Sequence, residues 1–210
     1  MAKKLVYHWT AAVRIHHWVN LVALTLLVIT GFYIHSPFMQ GGGETMAWTR
    51  IVHLWMAYVL LFGLIARIYL MFNSRTGADW KELLPLPSNL KNIPDIALYY
   101  AFITNTHKHY SRYNPLQGLT YLFIGVMILF MAATGFALHT GWLHAQFNWV
   151  NTLVGGVMIT RILHFFGMWI LIIVSFMHVY FVLRQNALDH DRCFMSMFDG
   201  YCLKDESEAH

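Results

Sequence analysis

Four stretches of this sequence are apolar, nearly uncharged and long enough to cross a lipid bilayer, whose hydrocarbon core takes roughly 20 helical residues. They run from about Ile15 to Ile34, Ile51 to Phe72, Leu116 to Leu138 and Ile162 to Leu183. The second contains one charge, Arg67 near its end; the other three contain no Asp, Glu, Lys or Arg. A backbone crossing lipid must satisfy its own polar groups, so such segments form helices. The whole chain is 58% hydrophobic and only 11% charged, against about 25% charged for an ordinary soluble domain. The expected fold is therefore an all-α membrane protein. It is a bundle of four transmembrane helices forming a single integral-membrane domain over residues 1–210. A net charge of +4 spread along the chain does not indicate a nucleic-acid partner.

The basic residues orient the bundle. An even number of spans puts both termini and the long second loop on one side. That side holds Lys3, Lys4, Arg14, Arg67, Arg75, Lys81, Lys91, Lys108, Arg112, Arg184, Arg192 and Lys204, and the other only Arg50 and Arg161. The positive-inside rule makes both termini cytoplasmic. The first apolar stretch is long and no small-residue cleavage site follows it, so it reads as a retained helix and not a signal peptide. The inner loop, about Asn73 to Pro115, is broken by Pro85, Pro87 and Pro94. Its apolar run Asp95 to Phe102 fits either a short interfacial helix or a folded loop. Cys193 and Cys202 lie in the tail without a C-x-x-C-H pattern, which excludes covalent c-type haem; unpaired reduced thiols are the simple reading.

The spans repeat. Thr49-Arg50-Ile51-Val52-His53 matches Thr160-Arg161-Ile162-Leu163-His164, and Thr30-Gly31-Phe32 matches Thr134-Gly135-Phe136. A duplicated helical hairpin gives this pattern.

Of the thirteen histidines, His8, His107, His109, His190 and His210 lie in polar segments and His144 in the outer loop. His17, His53, His164 and His178 lie in spans, where a titrating side chain is costly and marks function. His164 and His178 are fourteen residues apart, which places them on one helix face about 21 Å apart along the axis. Depth then pairs His53 with His164 at the outer end and His17 with His178 at the inner end. Two imidazoles fill both axial positions of a haem iron, so two stacked b-type haems are expected. Such iron has no open site and suits electron transfer. His16 adjoins His17, and spacing alone leaves the choice between them open. His35 and His139, matched across the repeat, are a reserve pair for the outer haem. Arg50 and Arg161 are candidates for the haem propionates, because Arg pairs with carboxylates bidentately; snorkelling arginines at a helix end are the equal alternative. Gly31, Gly63, Gly135 and Gly167 would allow close approach to a porphyrin or simply to another helix. A histidine-dependent metal or proton transporter is the rival class, but the spans contain no Asp or Glu to build an ion path.

Several short segments together resemble the b-type cytochrome subunit of membrane-bound nickel–iron hydrogenases, a group related to the formate dehydrogenase cytochrome b subunit. They are Val13-Arg14-Ile15-His16-His17-Trp18, Arg50-Ile51-Val52-His53, Tyr113-Asn114-Pro115, Ala133 to Leu138, Arg161-Ile162-Leu163-His164, Met177-His178-Val179-Tyr180 and the tail Met195 to Tyr201. The resemblance covers nearly the whole chain and implies a ligand immediately before Trp18, hence His17. It implies an anchor in the cytoplasmic (inner) membrane for a periplasmic hydrogenase. The chain would take electrons from the iron–sulfur small subunit, and through it the large subunit, and deliver them to menaquinone or ubiquinone. It places quinone near Asn114, with Tyr113 as its neighbour. The hydrogen-splitting site would lie on another subunit. A partner of formate dehydrogenase or thiosulfate reductase type is the alternative.

Overall fold

The computed structural model describes residues 3–38, 42–73, 91, 93–101, 103–104, 115–189 and 192–205. Their order is β1 (Lys3–Tyr7), α1 (Ala11–His35), α2 (Gly42–Phe72), α3 (Ile93–Tyr100), α4 (Pro115–Leu138), α5 (Trp142–Val154), α6 (Val157–Asp189), α7 (Cys193–Asp199) and β2 (Tyr201–Asp205). Four helices are long and apolar enough to cross a membrane: Ala11–His35, Gly42–Phe72, Leu116–Leu138 and Val157–Leu188. The third coincides with its expected span, and the other three each contain one and extend past it, because helix propagation continues into the flanking polar turns until a breaker intervenes. Large apolar side chains such as Ile15, Trp55, Phe62, Tyr69 and Phe176 point outward, as lipid-facing residues do. The protein is a multi-pass membrane protein.

The described residues form two compact units, one drawn from 1–17, 66–123 and 175–210, the other from 18–65 and 124–174. The first unit ties the chain ends together. β1 and β2 pair antiparallel, from Lys3 opposite Asp205 to Tyr7 opposite Tyr201. This small sheet amends the all-helical expectation; each strand has five residues and its partner lies at the other end of the chain, so neither shows in local pattern. The turn is built on Gly200, at φ +92°, whose carbonyl accepts from the backbone N–H of His8 (2.8 Å) and Trp9 (3.2 Å). Arg14 donates to the Phe198 carbonyl, and Trp9 and Val13 pack with Leu70, Met71, Tyr121 and Met197.

The inner-loop run left open between helix and loop forms α3. Its Ile96, Tyr99 and Tyr100 are buried against Leu116 and Phe181. Two side chains clamp it to α6: Arg184 donates from both Nε and Nη2 to the Tyr99 carbonyl, and Tyr180 Oη–H donates to the Tyr100 carbonyl at 3.2 Å. The Arg184 guanidinium also lies 4.9 Å from the Tyr99 ring centre. A cation counted from the sequence as an ordinary inner-side charge is thus buried and bonded.

In the second unit the repeat governs packing. The buried residues Ala23, Thr30 and Tyr33 of α1 correspond, 104 positions on, to buried Met127, Thr134 and Ala137 of α4. Leu60 of α2 corresponds, 111 positions on, to Leu171 of α6, both also buried. The α5 helix follows α4 directly and buries Leu143, Val150 and Asn151. Asn151 Nδ2 donates to the Ala137 carbonyl (3.1 Å) and its Oδ1 accepts from Thr160 Oγ1 (2.7 Å), so one side chain joins the end of α4 to the start of α6. His144 Nδ1 reaches the same Ala137 carbonyl at 2.8 Å.

Candidate cofactor site

In the second unit, His53 on α2 and His164 on α6 face one another with ring centres 6.4 Å apart and planes at 63°. In the first unit, His17 on α1 and His178 on α6 face one another at the same 6.4 Å, planes at 52°. The pairs expected from depth are therefore the pairs that meet, and the ring opposite His178 belongs to His17.

That shared distance has a chemical meaning. A nitrogen–metal bond of imidazole is about 2 Å and the ring centre lies about 1.2 Å behind the bonding nitrogen, so two imidazoles on opposite sides of one metal ion have centres about 6.4 Å apart. Aromatic rings in plain contact reach this distance too, as Phe165 does with both Phe166 and Trp169; what sets the two histidine pairs apart is that both rings of each pair can ligate a metal. Among the described residues no group of three or more His, Cys, Asp or Glu comes together. The arrangement therefore suits a metal whose remaining positions are supplied by something other than protein, as an equatorial macrocycle does.

Local structure holds the second-unit pair closely. Thr30 Oγ1 lies 2.8 Å from His53 Nδ1, and Thr134 Oγ1 lies 2.9 Å from His164 Nδ1. Each threonine also sits against its own helix backbone, Thr30 at 2.6 Å from the Leu26 carbonyl and Thr134 at 2.8 Å from the Phe130 carbonyl. The next residue in each case is a glycine. A Cβ added at Gly135 would stand 3.1 Å from His164 Cε1, and one at Gly31 would stand 3.5 Å from His53 Cε1. The two threonines were visible in the sequence as parts of the repeat but not as partners of the histidines. The available signal was that each ends the first helix of a hairpin, level with the histidine that begins the second.

The other expected residues are placed less tightly. Arg50 and Arg161 are exposed, as either of their two readings allows. The His35 ring stacks on Phe165, centres 4.1 Å apart, which ties it to an aromatic neighbour. Gly63 faces Asn20 and Gly167 faces Met131 and Phe130, so both serve close helix approach. Asn114 and Tyr113 lie outside the described residues.

Four apolar spans with two pairs of facing imidazoles define a helical membrane protein of the cytochrome type. The chain belongs to the prokaryotic cytochrome b561 family, whose sequence profile matches residues 8–200. It is similar to a probable Ni/Fe-hydrogenase B-type cytochrome subunit of Rhodobacter capsulatus, 31% identical over 93% of this chain and 80% of that one. It is similar also to proteins of that description from Cupriavidus necator, at 29% identity over 94% and 87% of the two chains. A probable Ni/Fe-hydrogenase 1 B-type cytochrome subunit of Escherichia coli matches at 27% over 93% and 89%. A b-type cytochrome family implies haem b. The residues fit that group: paired imidazoles at axial spacing and glycines that keep side-chain bulk away from the ligand rings.

Proposed function

We propose that this chain is a dihaem cytochrome b that anchors a periplasmic nickel–iron hydrogenase in the inner membrane, with both termini cytoplasmic. It relays electrons from the iron–sulfur small subunit, itself joined to the large subunit, to the quinone pool. The carrying observation is that the four span histidines meet as two facing pairs, and the description of the relatives as hydrogenase cytochrome subunits suggests the partner. Haem b, when bound, supplies one-electron redox chemistry without an open coordination position.

The chain's own residues do the rest. His53 and His164 hold the outer haem, nearest the hydrogenase; His17 and His178 hold the inner one, nearest the cytoplasm. Both pairs draw one member from α6. Arg50 and Arg161, the two basic residues of the outer side, pair with propionates. Asn114 and Tyr113 border the site for menaquinone or ubiquinone.

The test is the reduced-minus-oxidised spectrum of the purified chain, with haem counted per polypeptide. Two b-type haems per chain are expected, and one haem or none would overturn the reading. A histidine-dependent transporter would show no α-band. Co-purification with a nickel–iron subunit separates the hydrogenase reading from a formate dehydrogenase or thiosulfate reductase partner.

A further inference from the structure

The two threonines at the His53–His164 pair do more than pack. A hydroxyl has one proton and two lone pairs. Thr30 is within bonding distance of the Leu26 carbonyl, 2.6 Å, and Thr134 of the Phe130 carbonyl, 2.8 Å. A carbonyl can only accept, so each hydroxyl proton is directed there. The same oxygen is then left as an acceptor for the histidine 2.8 or 2.9 Å away, at His53 alongside the Leu27 carbonyl, and Nδ1 must carry the imidazole proton. The proton is thereby excluded from Nε2, whose lone pair is free for a metal.

We propose that Thr30 and Thr134 are positioning residues that fix the tautomer of His53 and His164, raise the basicity of both rings, and so lower the reduction potential of the haem between them. The inference rests on the proposed haem ligation. A hydrogen bond from the distal nitrogen of a ligating imidazole orients the ring and increases its electron donation. Stronger donation favours ferric over ferrous iron. The arrangement occurs twice, once in each repeat, at matched positions of α1 and α4. Both donor–acceptor chains end in a helix carbonyl four residues back, which makes the hydroxyl direction a property of the helix and not of a chance rotamer. The effect falls on one of the two haems, so the pair of threonines separates the potentials of the two.

Redox titration of the purified full chain tests this. Thr30→Val and Thr134→Val keep shape but remove the oxygen. Each should raise the midpoint of one b-type component about tenfold in its ferrous-to-ferric ratio, which is 59 mV for one electron; the second component should stay in place. The double variant should shift that same component further, and Thr30→Ser and Thr134→Ser should restore it. Thr49→Val is the control, because the Thr49 hydroxyl bonds only the Thr45 carbonyl among its described contacts; it should move neither component. Unshifted valine variants with haem retained, serine variants that behave like valine, or equal shifts of both components would overturn the inference. If a valine variant does not assemble, the serine variant in the same position and the intact second repeat still report. A wild-type chain lacking two b-type components would instead refute the ligation reading itself.

Discussion

Gly135→Ala should separate cofactor binding from protein stability. The added methyl would stand 3.1 Å from His164 Cε1, whereas carbon atoms in contact settle at about 3.5–4.0 Å. The ring must therefore yield by about half an ångström, the tolerance within which a ligand constellation keeps its productive geometry. It cannot yield freely, since Nδ1 is held to Thr134. Misorienting a metal-bound histidine typically costs 10–100-fold in affinity. Alanine in a helix interior is meanwhile about 0.5–1 kcal/mol more favourable than glycine, so the fold itself should not weaken. The assay is the haem-to-polypeptide ratio of the detergent-purified chain, read alongside its thermal unfolding. The ratio should fall from two toward one without a fall in unfolding temperature. Gly31→Ala is the internal comparison: its nearest atoms are Met168 Sδ at 3.4 Å and His53 Cε1 at 3.5 Å, ordinary contacts, and it should keep both haems. Identical behaviour of the two variants, or a Gly135→Ala protein with a full haem complement and unaltered spectrum, would refute the reasoning.

Single histidine replacements should dissect the spectrum by level: His164→Ala removes one b-type component and His178→Ala the other, and loss of both from either variant would show that the sites do not form independently. Arg184→Met removes the charged hydrogen bond to the Tyr99 carbonyl and the contact with the Tyr99 ring. It should weaken the docking of α3 by about 2–4 kcal/mol, seen as faster proteolysis within residues 91–104. Gly200→Ala places a side chain at φ +92° with its Cβ 2.8 Å from Tyr7 Cε2 and 3.0 Å from the Trp9 carbonyl oxygen. The conformational cost alone is about 1–2 kcal/mol. The β1–β2 pairing should open, and buried Cys202 should become labelled by a thiol reagent at an increased rate in peptide mapping.

The parts of this fold that were legible in the sequence are those set by burial in lipid. An apolar run of twenty residues has one stable outcome, and a histidine within it needs a reason, so the spans and the pair His53–His164 could be derived from spacing and depth; at the inner level spacing narrowed the partner of His178 to His16 or His17, and the family resemblance chose His17. The parts that were not legible depend on contacts between distant segments. The strand Lys3–Tyr7 has no partner until Tyr201–Asp205 is brought beside it. The α5 helix is uncharged and too short to span a bilayer, and its placement depends on Asn151 linking the Ala137 carbonyl to Thr160. Thr30 and Thr134 sit among many threonines that bond their own helix, such as Thr25 and Thr120. Only the approach of a second helix distinguishes the two that also touch a histidine.

The internal repeat accounts for one histidine pair and is broken at the other. His53 and His164 occupy equivalent positions of the two hairpins, so duplication alone doubles a ligand there. Carrying the registers of the repeat along the helices sets His17 against Tyr121 and His178 against Arg67. Neither counterpart can replace an axial imidazole: guanidinium has no lone pair to offer, and a phenol is a different ligand. The two counterparts instead meet each other, with Arg67 Cζ 5.8 Å from the Tyr121 ring centre. A cation in an apolar span is expensive, and contact with an aromatic face offsets part of that cost, about 0.5–2 kcal/mol. At this level the two halves of the repeat therefore diverge, one toward ligation and the other toward a cation–ring contact. A double-mutant cycle with Arg67→Met and Tyr121→Leu should return a coupling energy in that range, without changing the number of haems per chain. Zero coupling would mean that Arg67 is held by its other neighbours, and loss of a haem would mean that this side of the repeat still contributes to a cofactor site.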